Sequence, residues 1–159
     1  MRFILRKGFT LIELLVTIGI LAVVAAGVVA LIDPVDKNRQ AQDTKVISDI
    51  GQVATALQSY AAQNAGGLYP ATGWAAMSTA IGTGAGGTGE LIAVPTAPTG
   101  YAAYIYTLTG TTACLHGQVI SRKHVNPAAP VGCNAVVPCY WKWSSATGVT
   151  THVTTTTCP

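Results

Sequence analysis

A chain of 159 residues has room for one apolar segment and one compact domain of about 100 residues. Half of it is hydrophobic and only 9% is charged, with Gly, Thr and Ala abundant, so the soluble part is expected to be β-rich and loop-rich and kept in solution by hydroxyls and amides, unlike a charged cytosolic enzyme. The formal net charge of +3 rests on Arg2, Arg6 and Lys7; beyond Gly8 basic and acidic residues balance, which argues against strong non-specific binding of nucleic acid by the body of the chain.

The first segment, MRFILRKG, is short and basic and ends in Gly8 directly before an apolar run from Phe9 to Ile32 whose one charge is Glu13. As a helix that run reaches roughly 36 Å, enough to cross a hydrocarbon core of about 30 Å. A secretory signal has its small-residue cleavage site after the apolar region, whereas here the small residue precedes it. Cleavage after Gly8 would leave the apolar segment on the mature chain, with Phe9 as its N-terminus. The positive-inside rule puts Arg2, Arg6 and Lys7 in the cytoplasm and the C-terminal part outside. An uncleaved single-span anchor has the same orientation and is the plainer alternative.

KGFTLIELL (Lys7–Leu15) resembles the processing site and N-terminal helix of type IV prepilins, with their class III-type leader, and of the pseudopilins of type II secretion. The likeness covers Lys7 to about Ile32 closely, and Ser48–Pro70 more weakly resembles the end of the long helix in such subunits. The resemblance implies cleavage after Gly8 by a membrane prepilin peptidase and N-methylation of Phe9 by the same enzyme. It also implies polymerisation, with the inner-membrane assembly machinery, into a helical homopolymer in which Glu13 faces the Phe9 ammonium of a neighbouring subunit. Elementary electrostatics agrees: a carboxylate in an apolar bundle is costly, pairing with an ammonium offsets much of that cost, and losing one partner strands the other by roughly 3 to 5 kcal/mol. The alternative is a Glu13 that snorkels to the headgroups.

Gly19 and Gly27 are weak points in the apolar helix, and Pro34 follows its end. They are compatible with close packing, since Ala22, Ala26 and Ala30 repeat at i, i+4, or with melting in a filament core, as the resemblance suggests. Pro34 either kinks the helix or starts a second one, with Asp33 as N-cap. Residues 9–34 thus form a transmembrane or filament-core helix. An amphipathic helix follows over 36–63, where Val46, Ile50, Val53, Leu57 and Tyr60 share one face and Lys45, Asp49, Gln52 and Ser59 lie elsewhere. The partner of that face is expected to be a sheet of the same chain rather than a coiled coil. Residues 64–100, rich in Gly, Pro and Thr and containing GTGAGGTG, are expected to be an exposed loop; the strand, helix and Lys of a phosphate-cradling loop are not in pattern. In 101–159 four β-rich runs, Tyr101–Leu108, Cys114–Ser121, Cys139–Trp143 and Val149–Thr157, predict an antiparallel meander with a turn over Ser144–Gly148. The expectation is an α+β, pilin-like fold: a leader over 1–8, a long N-terminal helix, and a globular domain over 35–159.

Cys114, Cys133, Cys139 and Cys158 all fall on the side expected to be outside the cell, which predicts two disulfides. A hairpin turning near Gly148 favours Cys139 with Cys158 and Cys114 with Cys133, although spacing alone leaves three pairings open. Paired Cys-x-x-Cys spacings are missing, so no metal and no cofactor is expected. His116, His124 and His152 are not linked to one pocket by the sequence, and neither a catalytic residue nor an enzyme is expected. Tyr140, Trp141, Lys142 and Trp143, with Arg122 and Lys123, offer a DNA-stacking alternative to a core strand. The reading is a subunit of an extracellular type IV pilus, held in the inner membrane as a precursor. A secretion pseudopilin is the second choice, disfavoured because Glu90 is the only acidic residue after Asp49 and the major pseudopilins, by resemblance, carry an acidic calcium loop near the C-terminus. A monomeric membrane-anchored binding domain is the third.

Overall fold

The computed structural model describes residues 8–125, 133 and 137–158. Two compact units emerge, Met1–Val35 and Asp36–Pro159. The first is built on helix α1 (Leu11–Leu31). The second holds most of helix α2 (Pro34–Gln63), helix α3 (Trp74–Ile81) and strands β1 (Ile105–Thr109), β2 (Thr112–Val119), β3 (Cys139–Ser144) and β4 (Thr150–Val153). The strands form one antiparallel sheet in the order β1-β2-β3-β4, so the fold is α+β. Of the two roles open to Pro34, it is the first residue of α2, where its missing N–H costs no helical hydrogen bond.

The apolar face of α2 packs as its spacing predicts. Val46, Ile50, Val53 and Leu57 are fully buried and Tyr60 packs against the same cluster, which includes Leu115, Val119 and Trp143 of the sheet. Close approach at the centre needs a residue without a side chain: a Cβ on Gly117 would lie 2.5 Å from Val46 Cγ1 and 3.2 Å from Ile50 Cγ1. That contact identifies the α2-facing side of the sheet. Alternation and register put Leu115, Gly117 and Val119 there with Cys139, Trp141, Trp143 and His152, and put Cys114, His116, Tyr140 and Lys142 on the outer side.

The polar positions of α2 depart from a simple solvated face. Asp36, Asp43 and Asp49 are buried, because each receives hydrogen bonds from the chain folded over the helix. Asp43 accepts from Tyr101 Oη (2.7 Å), Ile120 N (3.0 Å) and Ser121 N (2.9 Å). Asp49 accepts from Tyr104 Oη and from Lys45 Nζ, both at 2.6 Å. Asp36 accepts from Arg122 N at 2.8 Å and Gln40 Nε2 at 2.7 Å. The Arg122 amide holds the Asp36 carboxyl below the usual carboxylate range. Burial, with a hydrogen bond to a carboxylate, pushes the Tyr101 and Tyr104 hydroxyls well above the ordinary phenol value.

Three expectations are corrected. The stretch 64–100 contains helix α3, which seats Met77 and Ile81 in the core; these apolar residues at i, i+4 outweigh the loop-forming composition around them. The expected first strand begins only at Ile105, because Tyr101 and Tyr104 are committed to α2 through their hydroxyls. The last strand ends at Val153 instead of Thr157: the chain leaves the ladder, Thr157 O accepts from Lys142 Nζ at 3.2 Å on the outer side of the sheet, and Cys158 is bonded to Cys114.

That path also changes the disulfide pairing, which is Cys114–Cys158 and Cys133–Cys139, with Cα separations of 5.8 and 5.5 Å, in place of the expected Cys139–Cys158 and Cys114–Cys133. The reason is parity. Cys114 and Cys139 lie on opposite sides of the sheet, so the tail crossing the outer side meets Cys114 and cannot reach Cys139.

Candidate functional site: the exposed amino-terminal helix

Every side chain of α1 described from Leu11 to Val29 is exposed, and this stretch is long and apolar enough to cross a membrane. So large an apolar surface on a soluble monomer would be an aggregation hazard; it belongs to a helix that meets lipid or other helices. Gly19 and Gly27 sit within the unbroken helix with open space where a Cβ would be, so in this chain alone neither is required by packing.

The helix starts with a capping box, which is not among the features predicted from the sequence. Thr10 is the N-cap. Its N and Oγ1 donate to Glu13 Oε2 at 3.0 and 2.9 Å, and Glu13 N donates back to Thr10 Oγ1 at 3.3 Å. The pattern Thr-x-x-Glu before an apolar run was the available signal. Glu13 therefore has a local task, satisfying orphan amides at the helix start and placing negative charge at the positive end of the helix dipole. Phe9, 79% exposed, lines with Ile12, Glu13, Val16 and Thr17 one open, mostly apolar groove of about 340 Å³. The start of the helix and the residue before its cap thus present a carboxylate and a ring on one surface. Gly8 is exposed beside Phe9, whereas Arg2, Arg6 and Lys7 lie outside the described residues.

The other candidates separate. Trp143 is buried against α2 and the Tyr69 ring, Trp141 packs against His124 and His152, and Tyr140 and Lys142 lie on the outer side. The four residues Tyr140–Trp143 are therefore not one stacking platform. Among the histidines, the fold joins two that the sequence left unconnected: the rings of His124 and His152 are 5.6 Å apart. His116 is on the opposite side of the sheet, fully buried, where desolvation and the nearby Lys142 ammonium push its pKa down to about 4.

The family model of the prokaryotic N-terminal methylation motif matches residues 5–29 of this chain. Comparison with curated proteins and with solved structures returns no match.

Proposed function

We propose, because the methylation motif together with the apolar helix fits the type IV pilin and pseudopilin family, that this chain is a structural subunit of an extracellular type IV pilus filament. In this reading the prepilin peptidase cuts after Gly8 and methylates Phe9, the precursor waits in the inner membrane with α1 in lipid, and the assembly machinery packs α1 among copies of itself. The observation that carries the proposal is the placement of a methylation motif on a helix exposed along its described length, with Phe9 and Glu13 lining one groove at its start. Glu13 would then exchange, or share, its cap on Thr10 for the ammonium of a neighbour's Phe9. Gly19 and Gly27 would ease local melting of α1 on leaving lipid.

A pseudopilin is the second reading. It is disfavoured by the scarcity of acidic residues after Asp49, where Glu90 stands alone and is hydrogen-bonded by the Gln63 amide.

The capping box makes the test cleaner. Gln serves at the third helical position of a capping box as well as Glu, so Glu13→Gln keeps the cap and removes the charge, whereas Thr10→Ala removes much of the cap, worth about 1 kcal/mol, and keeps the charge. With each variant as the only copy in cells, the ratio of sheared, pelletable protein to membrane-bound protein is measured. Processed Glu13→Gln subunits stranded in the membrane, with Thr10→Ala still forming filaments, support the proposal. Normal filaments from Glu13→Gln defeat the assembly role of Glu13, and the failure of wild-type protein to appear in any sheared fraction defeats the filament reading.

A further inference from the structure

The sequence carries no Cys-x-x-Cys pair, yet the fold assembles a soft ligand set at the β3–β4 edge. In the ladder Trp141 is opposite His152, which makes His152 the diagonal neighbour of Cys139 on the α2-facing side. Cys133 is brought to the same place. The ligand atoms of Cys133, Cys139 and His152 all lie within 4.8 Å of one another. In a tetrahedral zinc site, with Zn–S of about 2.3 Å and Zn–N of about 2.0 Å, neighbouring ligand atoms are about 3.3 to 3.8 Å apart, so displacements of about 1 Å convert one arrangement into the other. Cys133 and Cys139 are buried, and His152 Nε2 is buried with no hydrogen-bond partner among the described residues. A buried imidazole nitrogen without a partner, beside two sulfurs, is a ligand position in want of an ion.

We propose that the reduced form of this protein binds one Zn²⁺ through Cys133 Sγ, Cys139 Sγ and the His152 imidazole, and that the Cys133–Cys139 disulfide and the metal are alternative occupants of the same site. Thiolate and imidazole together select a soft or borderline cation such as Zn²⁺ over calcium or magnesium. His124 lies beside this set, its ring 5.6 Å from that of His152 and its carbonyl oxygen 3.4 Å from Cys139 Sγ. A dithiol reductant supplies the two electrons and two protons by two thiol–disulfide exchanges: the Cys133–Cys139 bond breaks, two thiols form, and the reductant is left as its own disulfide. Zn²⁺ then displaces the two thiol protons to solvent and is held by the thiolates. Re-oxidation by a disulfide oxidant, which takes up the two electrons by two thiol–disulfide exchanges and leaves as a dithiol, joins the sulfurs and expels the ion. The metal thus holds the pair as thiolates until the bridge is made. The site is independent of the N-terminal motif, so it stands or falls apart from the filament reading.

The full-length chain in detergent is reduced without air by a trialkylphosphine, itself oxidised to the phosphine oxide, and titrated with Co²⁺ as a spectroscopic stand-in for Zn²⁺. The expected result is saturation at one equivalent with a thiolate-to-cobalt charge-transfer band, which Zn²⁺ bleaches. Cys139→Ser should abolish the band and His152→Ala should weaken binding by at least about tenfold. The oxidised protein should show no such band. Alkylation mapping should find Cys133 and Cys139 shielded by Zn²⁺ and Cys114 and Cys158 not. The absence of a thiolate band, its survival in Cys139→Ser, or shielding of Cys114 and Cys158 instead would overturn the proposal. Should reduction unfold the chain, Zn²⁺ must restore its far-UV circular dichroism in wild type and fail to do so in His152→Ala; a reduced chain indifferent to Zn²⁺ equally overturns it.

Discussion

Asp43 shows how much of this fold hangs on single buried acceptors. Its carboxylate takes the Tyr101 hydroxyl and two successive amides, Ile120 N and Ser121 N, and so ties the approach to β1 and the exit of β2 to the same turn of α2. Asp43→Ala leaves the Ile120 and Ser121 amides without that acceptor, while Tyr101 Oη keeps Arg39 O at 3.1 Å; at roughly 1 to 3 kcal/mol for each buried group left unsatisfied, the expected loss is about 2 kcal/mol or more, read from the denaturant midpoint. A loss below about 0.5 kcal/mol would mean that water replaces the carboxylate freely. His116 makes a pH prediction. Its nitrogens have no hydrogen-bond partner among the described residues, and its pKa in the fold is about 4 against an ordinary 6.5. Because the lowered pKa favours the neutral form, the unfolded chain takes up a proton first as pH falls. The neutral imidazole's advantage is full above about pH 6.5 and declines as pH drops towards 4, a span of about 3 kcal/mol. His116→Leu should flatten the stability–pH curve across that window by a comparable amount, whereas an unchanged slope would assign the acid sensitivity to the carboxylates and the other histidines.

At the level of elements, α3 and the C-terminal tail supply what the sheet and α2 cannot cover alone. α3 inserts Met77 and Ile81, both fully buried, beneath a segment otherwise made of turns. Met77→Ala should therefore behave as a core truncation and cost about 2 to 4 kcal/mol, measured by thermal or denaturant unfolding. A change within about 0.5 kcal/mol would be the mark of a surface appendage. β2 is buried along most of its length: α2 packs against Leu115 and Val119, and on the side that carries Cys114 and His116 the returning tail is fixed by the Cys114–Cys158 bond and by Thr157 O, which accepts from Lys142 Nζ. The edge strand β4 is short, with only four residues, which limits open strand edge for unwanted pairing.

For the whole molecule, the decisive asymmetry is between a helix with no described contact to cover it and a domain whose core is closed. The proposed processing joins the two: removal of residues 1–8 would eliminate Arg2, Arg6 and Lys7 and leave a mature chain of balanced formal side-chain charge starting at Phe9. Intact-mass spectrometry of sheared surface material is expected to give the mass of residues 9–159 plus one CH2 for the N-methylation, less four hydrogens if both disulfides are closed. A mass that retains Met1–Gly8 would refute the cleavage, and Gly8→Leu is expected to leave only full-length precursor in the membrane fraction.

The sequence by itself determined the parts that depend on local order. Apolar content alone specifies α1, period-3.6 spacing specifies the packed face of α2, and β-branched and aromatic runs locate β2 and β3 within a few residues. The methylation motif was legible for the same reason, being a contiguous string within residues 5–29. The capping of Glu13 by Thr10 was equally local and could have been read. What only the tertiary structure decided depends on residues far apart in the chain. Asp36, Asp43 and Asp49 are buried because distant amides and hydroxyls reach them. Cys114 pairs with Cys158 because sheet parity puts Cys139 on the other side, and Cys139 meets His152 because β4 returns along β3 in one register. Such proximity arises from strand pairing and chain reversal, which fix the side and neighbours of each residue only once the whole sheet has formed.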